Sequence, residues 1–233
     1  MLGEQKYLSP LHTSAEITST MVLTWKHPFS ALIAGSSGSG KTVFVSRLLK
    51  FKDQIINTPI KEVIWCYSEW QSTYNTMKNV RFHKGLLQLD EFPTTSDPRL
   101  VIFDDLMTEC DQSIVTFFTK GRHRNMSVIF LTQNLFYQGK GSRDISLNCS
   151  YIVAFKNPRD KAQIQALARQ IWPADPKFVQ ESYESATSEP HSYILFDFKQ
   201  STPEDQRVQT CVFPDDPHHF VYVPSKYKKI TNH

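Results

Sequence analysis

A glycine- and serine-rich octapeptide, GSSGSGKT at residues 35–42, has the residue types and the spacing of a phosphate-binding loop. Its glycines permit the backbone angles that turn successive N–H groups towards an anion. Lys41 is placed to reach the β- and γ-phosphates of ATP, and the Thr42 hydroxyl is placed to bind Mg²⁺. The octapeptide therefore predicts a site for ATP and Mg²⁺ made of Gly35, Ser36, Ser37, Gly38, Ser39, Gly40, Lys41 and Thr42.

Two carboxylates follow an apolar segment about sixty residues after this loop. The segment LVIFDD, residues 100–105, has the pattern of a buried strand that ends in Asp104 and Asp105. We expect Asp104 to hold Mg²⁺, commonly through a bound water, and Asp105 to polarise the attacking water as a general base. The alternative is an Asp-rich turn after a strand, which is common in α/β proteins. The preceding phosphate-binding loop favours the catalytic interpretation.

The next apolar segment, SVIFLTQN, ends in polar residues as well. Because the carboxyl ends of adjacent parallel strands meet at one edge of a sheet, we expect Gln133 near the γ-phosphate or the attacking water. There it would sense whether the phosphate is still attached. The alternative is an amide that caps the following turn.

Short β-rich apolar segments alternate with helical segments, and this order predicts an α/β fold. We expect a mostly parallel central sheet flanked by helices, because several strands are apolar throughout, as strands covered on both faces are. The predicted strands are 29–34, 62–67, 100–103, 128–132 and 151–155. The predicted helices are 43–51, 112–120 and 160–171.

The two ends of the chain differ in composition from its middle. Residues 1–25 are polar and rich in turn formers, and we interpret them as an arm that precedes a single domain, residues 26–233. Within that domain, a helix at 176–183 and a strand at 193–198 precede proline-rich segments. We expect residues 173–233 to add strands to one edge of the sheet.

The overall composition excludes several classes of protein. With 40% apolar and 21% charged residues, the chain is neither a disordered segment nor a fibre. The net charge of +3 neither requires nor excludes a polyanionic partner. No signal peptide begins the chain, and no apolar segment approaches the roughly 18 residues of a membrane span, so we expect a soluble, intracellular protein. We interpret the large aromatic residues near the second strand as core or interface packing: Trp65, Trp70, Tyr74 and Phe82.

Taken together, these segments resemble the FtsK/HerA superfamily of DNA-pumping ATPases. More narrowly, they resemble the packaging ATPases of poxvirus-type and Polinton/Maverick-type (adintovirus-like) double-stranded DNA viruses. The resemblance begins near residue 28, covers most of the chain, and implies a P-loop NTPase fold. It rests on GSSGSGKT, YSEWQSTY, LVIFDDLM, GRHRNMSVIFLTQNLF, SRDISLNCSYIVAFKNPRDKAQIQALARQIWP and HSYILFDFKQSTPEDQRVQTCVFP.

The resemblance implies a motor and assigns its site residues. A ring of subunits, a pentamer or a hexamer, would thread double-stranded DNA into a preformed capsid as ATP is hydrolysed. Lys41 and Thr42 would bind nucleotide and metal, Asp104 and Asp105 would form the second motif, and Gln133 would be the sensor. The residue at position 105 is often Glu in the wider superfamily, and the shorter Asp leaves the identity of the base open.

The resemblance also implies partners and a location. Besides the DNA, a capsid vertex or portal protein would bind the ring. We expect no membrane partner. The motor would work in the host cytoplasm or nucleus, at the assembling virion.

Basic residues near the sensor strand are candidates for further roles. Arg122 and Arg124 lie where the superfamily places an arginine that completes the site of a neighbouring subunit, and either residue fits. Arg143 and Arg159 are further candidates, and a solvated basic turn is the alternative. Lys140 and Arg143 flank glycines in a segment that either contacts DNA phosphates or forms an ordinary connection.

Three other functions compete with the packaging motor. Another FtsK/HerA-type translocase, for plasmid mobilisation or segregation, usually carries membrane or accessory domains, which we do not find. A small P-loop kinase for a metabolite should carry an arginine-rich lid and has no need for an Asp-Asp strand beside a Gln-ended strand. A protein that binds ATP without hydrolysing it is disfavoured because Lys41, Asp104 and Asp105 are all present.

Overall fold

The computed structural model describes residues 13–18, 24–92, 97–106, 112–136 and 142–224, and a ten-stranded sheet is its central feature. The strands are β1 (Thr13–Thr18), β2 (Ser30–Ala34), β3 (Glu62–Tyr67), β4 (Arg81–Lys84), β5 (Arg99–Asp104), β6 (Met126–Thr132), β7 (Tyr151–Phe155), β8 (Tyr193–Asp197), β9 (Val208–Thr210) and β10 (His219–Pro224). Their order across the sheet is β1-β10-β9-β8-β7-β2-β6-β5-β3-β4. The run from β7 to β4 is parallel, and the pairings from β7 through β8, β9 and β10 to β1 are antiparallel. This mostly parallel sheet with added carboxyl-terminal strands is the fold that the sequence predicts.

Helices cover both faces of the sheet. The described helices are α1 (Lys41–Lys50), α2 (Lys52–Ile55), α3 (Gln112–Lys120), α4 (Ser142–Leu147), α5 (Ala162–Ile171) and α6 (Pro176–Ala186). Helices α1 and α2 pack on one face, and α3, α4, α5 and α6 pack on the other. The described connections contain four short 3₁₀ helices, at Ser72–Thr76, Leu89–Glu91, Gly121–Arg124 and Glu204–Gln206.

The apolar strands of the sequence are the central strands of the sheet. Every residue of β2, β5, β6 and β7 is buried, because both faces of these strands are covered. Along β6 the side chains alternate, so Val128 and Phe130 lie in one core and Ile129 and Leu131 in the other. Each such buried side chain contributes roughly 1.5–3 kcal/mol of hydrophobic free energy. The two cores hold the carboxyl ends of these strands at one edge of the sheet.

Two strands, β1 and β4, and the residue Trp25 differ from the sequence-based assignment. Residues 13–18 are not outside the sheet: β1 pairs with β10 along its whole length, from Thr13 opposite Pro224 to Thr18 opposite His219. Trp25 is also part of the fold, since it is fully buried and stacks on Tyr151. The edge strand β4 was not predicted, because its sequence Arg-Phe-His-Lys is polar.

The described residues also show the character of the helices and the state of the cysteines. None of its described helices combines the length and apolar character that crossing a membrane requires. Cys66, Cys149 and Cys211 are free thiols. The segment 225–233 and most of the predicted arm lie outside the described residues.

Candidate nucleotide-binding site

The glycine-rich loop connects β2 to α1, as its sequence predicts. Gly38 and Gly40 have φ angles of +75° and +107°, in the left-handed region where a side chain is strained. Gly40 is the N-cap of α1, and no side chain in the described part of the chain caps this helix. The first N–H groups of a ten-residue helix therefore point out of its positive end, which is the arrangement that binds phosphate.

Close packing fixes the start of the loop. A Cβ atom at Gly35 would lie 2.5 Å from the Ser39 Oγ and 2.7 Å from the Phe155 Cβ, so only glycine fits. The Ser39 hydroxyl is buried and its Oγ has no hydrogen-bond partner among the described residues. A buried polar atom without a partner is costly, and a phosphate oxygen would satisfy it. The loop therefore fits the phosphates of a nucleotide.

The Lys41 side chain folds back across the loop. Its Nζ donates hydrogen bonds to the backbone oxygens of Gly35, at 2.7 Å, and Ser36, at 3.0 Å. Burial lowers the pKa of Lys41, and the negative charges of Asp104 and Asp105 oppose this change. The ammonium group thus lies between the loop and the carboxylates, where a phosphate chain can replace the carbonyl oxygens.

Asp104 is the last residue of β5 and is buried beside the loop. It is paired with Leu131 of β6, and β6 is the neighbour of β2, so three adjacent strands bring Asp104 and the loop together. The Tyr74 hydroxyl donates a hydrogen bond of 2.8 Å to Asp104 Oδ2. Burial raises the pKa of Asp104, and the Tyr74 hydrogen bond and the Lys41 charge oppose this rise.

Asp105 lies directly after the strand and is exposed. Its φ of +53° is in the left-handed region, which turns the backbone sharply at the end of β5. The two carboxylates therefore differ in environment: Asp104 is buried among its partners and Asp105 faces solvent. The metal role of Asp104 and the water role of Asp105 stay predictions.

The donor atoms near the loop fit a hard cation. Thr42 lies in the first turn of α1 and supplies a hydroxyl, and Asp104 supplies a carboxylate. The described residues contain no cluster of three or more His, Cys, Asp or Glu side chains that would form an all-protein metal site. Two oxygen donors suit Mg²⁺, which keeps several waters and binds substrate phosphates.

Gln133 follows β6 at the same edge of the sheet. The Gly35 N–H donates to the Thr132 carbonyl oxygen at 3.1 Å, so the loop and the end of β6 are in contact. Gln133 is exposed and lines a small cavity that also contains Gly35 and Asn157. In the same turn the Asn134 N–H donates to Thr132 Oγ1.

The two candidate arginines before β6 lie at the opposite edge of the sheet. Arg122 and Arg124 are in the 3₁₀ helix that precedes the first residue of β6, whereas the loop contacts its last residue. Seven residues at about 3.3 Å each place these edges roughly 20 Å apart. Arg124 Nη1 donates to the carbonyl oxygens of Leu89, at 2.7 Å, and Phe92, whereas Arg122 is exposed. Neither residue reaches the loop of its own chain.

The remaining basic candidates are distributed differently. Arg159 is exposed in the turn after β7, at the same edge as the loop, and its N–H donates to Asn157 Oδ1. Arg143 lies in α4, and its side chain is outside the described part of the chain. Lys140 lies wholly outside the described residues.

The structure also reveals residues of the site that the sequence did not indicate. A cleft of about 480 Å³ runs from the loop along α1, and its lining includes His191, Tyr193, Phe213, Gln71 and Thr73. These residues come from segments far apart in the chain, so no local motif identifies them.

Two ion pairs of Arg47 connect α1 to the chain segment that follows Phe213 in the cleft lining. Arg47 of α1 forms ion pairs with Asp215 and, at 2.9 Å, with Asp216. Its guanidinium also lies over the Phe213 ring, 4.3 Å from the centroid. α1 is thereby joined to the segment after β9.

Comparison with known proteins gives the chain's relatives. Residues 21–165 match the model of a family described as Poxvirus A32 protein. The DNA packaging proteins of Variola virus and of Vaccinia virus strain Copenhagen are 26% identical to it over 152 residues. These alignments cover 57% of this chain and 56% of each relative, so the chain matches about half the length of these relatives.

Solved structures share the fold. The genome packaging NTPase of Sulfolobus turreted icosahedral virus 2, in complex with ATP-gammaS, superposes with a TM-score of 0.52 and 12% identity. That match covers 78% of this chain and 96% of the viral protein. The cytoplasmic domain of the type VII secretion ATPase EccC of Thermomonospora curvata gives a TM-score of 0.50 and 13% identity, over 84% of this chain and 25% of EccC.

Proposed function

Because the chain belongs to the Poxvirus A32 protein family, we propose that it is the ATPase of a motor that moves double-stranded DNA into a viral capsid. One observation carries the proposal: the phosphate-binding loop, Lys41 and the buried Asp104 converge at one edge of the parallel sheet. The DNA packaging role of the viral relatives supplies the substrate class.

The loop would bind the phosphates of ATP. The uncapped N–H groups of α1 and the buried Ser39 hydroxyl would donate to phosphate oxygens. Lys41 would exchange its two carbonyl acceptors for the β- and γ-phosphates. The base and sugar would extend into the cleft along α1.

Hydrolysis would use the carboxylates and the amide at the same edge. Thr42 and Asp104 would hold Mg²⁺, which neutralises charge that develops on the phosphates. Asp105, exposed beside Asp104, would accept the proton of the attacking water, and Gln133 would orient that water or contact the γ-phosphate.

A ring of five or six subunits would complete each site with an arginine of its neighbour. Arg122 and Arg124 are the two candidates that the family resemblance indicates. The exposed guanidinium of Arg122 favours it, because Arg124 donates to two backbone carbonyl oxygens of its own chain. Arg159, exposed at the edge of the loop, and Arg143 are the further candidates.

The remaining partners follow from the motor function. Lys140 and Arg143 would contact the DNA phosphates, which gives binding that depends on salt and not on sequence. A capsid vertex or portal protein would hold the ring at the assembling virion.

The first test is ATP hydrolysis by the purified chain, with and without long duplex DNA. We expect DNA to raise the rate several-fold, and Lys41→Ala and Asp105→Asn to abolish the stimulated rate. Matched controls are Lys177→Ala and Asp53→Asn, which change exposed residues on α6 and α2 and should keep the wild-type rate. If the chain is monomeric and DNA does not change its rate of ATP hydrolysis, the motor function is contradicted. Phosphoryl transfer to a small-molecule acceptor would then be the function to test.

A further inference from the structure

The Asp104 carboxylate accepts a hydrogen bond from a buried phenol. Tyr74 Oη donates to Asp104 Oδ2 at 2.8 Å, and the two residues are 1% and 3% exposed. Tyr74 is thirty positions away from Asp104 in sequence and lies in the 3₁₀ helix Ser72–Thr76. The hydroxyl therefore reaches the carboxylate from a separate loop, which connects β3 to β4 and comprises residues 68–80. We call it the aromatic loop.

Neighbouring rings fix the orientation of Tyr74. Its ring stacks on Phe82 with centroids 5.4 Å apart, and Trp65 lies at 5.4 Å. Tyr67 lies at 5.7 Å and Trp70 packs edge-on at 5.3 Å. A ring enclosed on several sides cannot turn away, so its hydroxyl stays on Asp104.

The aromatic loop also borders the cleft and the solvent. Gln71 and Thr73 line the same cleft as Lys41 and Thr42. On the outer side Trp70 is 50% exposed. The aromatic loop thus lines the cleft, contacts the Asp104 carboxylate and is exposed to solvent.

From this geometry we infer that Tyr74 is a positioning residue for Asp104, an inference that rests on the proposed function. The phenol donates to Oδ2 and restrains the orientation of the carboxylate, which would present its remaining lone pairs to the cation that Asp104 and Thr42 would share. Partners of metal-binding carboxylates commonly change metal affinity by 10- to 100-fold when they are removed. Tyr74 contacts neither nucleotide nor metal in this scheme and acts through Asp104.

The test separates metal affinity from nucleotide affinity. Tyr74→Phe removes the hydroxyl and keeps the ring that packs on Phe82. Binding of a fluorescent ATP analogue is measured in EDTA and then during titration with Mg²⁺. We expect equal affinity in EDTA, and a Mg²⁺ midpoint raised about tenfold in Tyr74→Phe. The midpoint does not depend on the folded fraction, so a lower yield of folded protein leaves the test intact.

Two comparisons distinguish positioning from packing. Tyr222→Phe is the matched control, because it also removes a phenol that donates one side-chain hydrogen bond, to Ser185 Oγ at 3.1 Å. Its Mg²⁺ midpoint should equal that of the wild type. In an Asp104→Asn background, Tyr74→Phe should cause no further change, since both act through one group.

The outcomes are separable. An unchanged midpoint in Tyr74→Phe, or a change that persists in the Asp104→Asn background, overturns the positioning role and leaves the proposed function in place. A wild-type chain whose binding of the analogue ignores Mg²⁺ contradicts the proposed function itself.

Discussion

The carboxyl ends and the amino ends of the parallel strands form two edges of the sheet, and the polar groups at these edges differ in their hydrogen bonding. At the carboxyl edge the Ser39 hydroxyl has no partner among the described residues, and α1 has no capping side chain. At the amino edge His27 contacts Ser127 Oγ at 2.6 Å and Asn125 Oδ1 at 2.9 Å. A buried hydroxyl beside the free N–H groups of a helix suits a phosphate, whereas the hydrogen bonds of His27 stabilise the fold, although Trp25 Nε1 at the amino edge also has no partner among the described residues. We therefore expect substitutions at the carboxyl edge to change activity and substitutions at the amino edge to change stability.

The largest effect should come from Asp104→Asn at the carboxyl edge. We expect hydrolysis to fall by at least about 100-fold, because the amide carries no charge for the cation. The free energy of unfolding should not fall, because the amide oxygen still accepts from Tyr74 and a buried charge is removed. Phosphate release and urea denaturation measure the two quantities. If activity were retained and stability fell, Asp104 would have a structural role and not a catalytic one.

At the amino edge the expected loss is in stability. Arg124→Ala should lower the free energy of unfolding by about 2 kcal/mol, because the carbonyl oxygens of Leu89 and Phe92 lose a charged donor. The matched variant Arg122→Ala should change it by less than about 0.5 kcal/mol, since Arg122 is exposed. Chemical denaturation of both variants gives the comparison. If Arg122→Ala proved the more destabilising change, the supporting role would pass to that arginine.

The smallest effect concerns pH. Burial lowers the pKa of folded His27; its hydrogen bond to Asn125 opposes the shift and the positive charge of Lys199 adds to it. The unfolded chain therefore takes up the proton first, so the stability that neutral His27 contributes is present above about pH 6.5 and is lost as the pH falls below it.

The corresponding measurement is a series of denaturation curves between about pH 8 and pH 5. Wild-type stability should fall more steeply with decreasing pH than that of His27→Asn, and the exposed His218→Asn should follow the wild type. Parallel curves for the wild type and His27→Asn would show that the histidine is not a source of the pH dependence.

The sequence predicts those parts of the protein that depend on neighbours in the chain. The strand, loop and helix around residues 35–42 are adjacent, so composition and spacing were sufficient. The same holds for the fully apolar strands β5 and β6, whose ends place Asp104 and Gln133. In each case the local pattern and the tertiary fold favour the same structure.

What the sequence did not predict depends on distant contacts. Arg47 meets Asp215, which is 168 positions away, and no motif joins them. β4 is polar and forms a strand because it pairs with β3, and β1 does so because it pairs with β10. The sequence indicates only a packing role for Tyr74, because its contact with Asp104 forms when distant parts of the chain come together in the fold.

The exposure of Trp70 has a spectroscopic consequence. Trp25 and Trp65 are fully buried, Trp172 is 9% exposed and Trp70 is 50% exposed, so the four indoles sample different polarity. Emission from the water-facing indole lies at longer wavelength, and a small quencher in solution reaches it first. Its ring packs on Tyr74, whose hydroxyl bonds to Asp104. The protein thus carries an intrinsic fluorophore one residue removed from the Asp104 carboxylate, and a shift of the aromatic loop should change its emission wavelength without any added label.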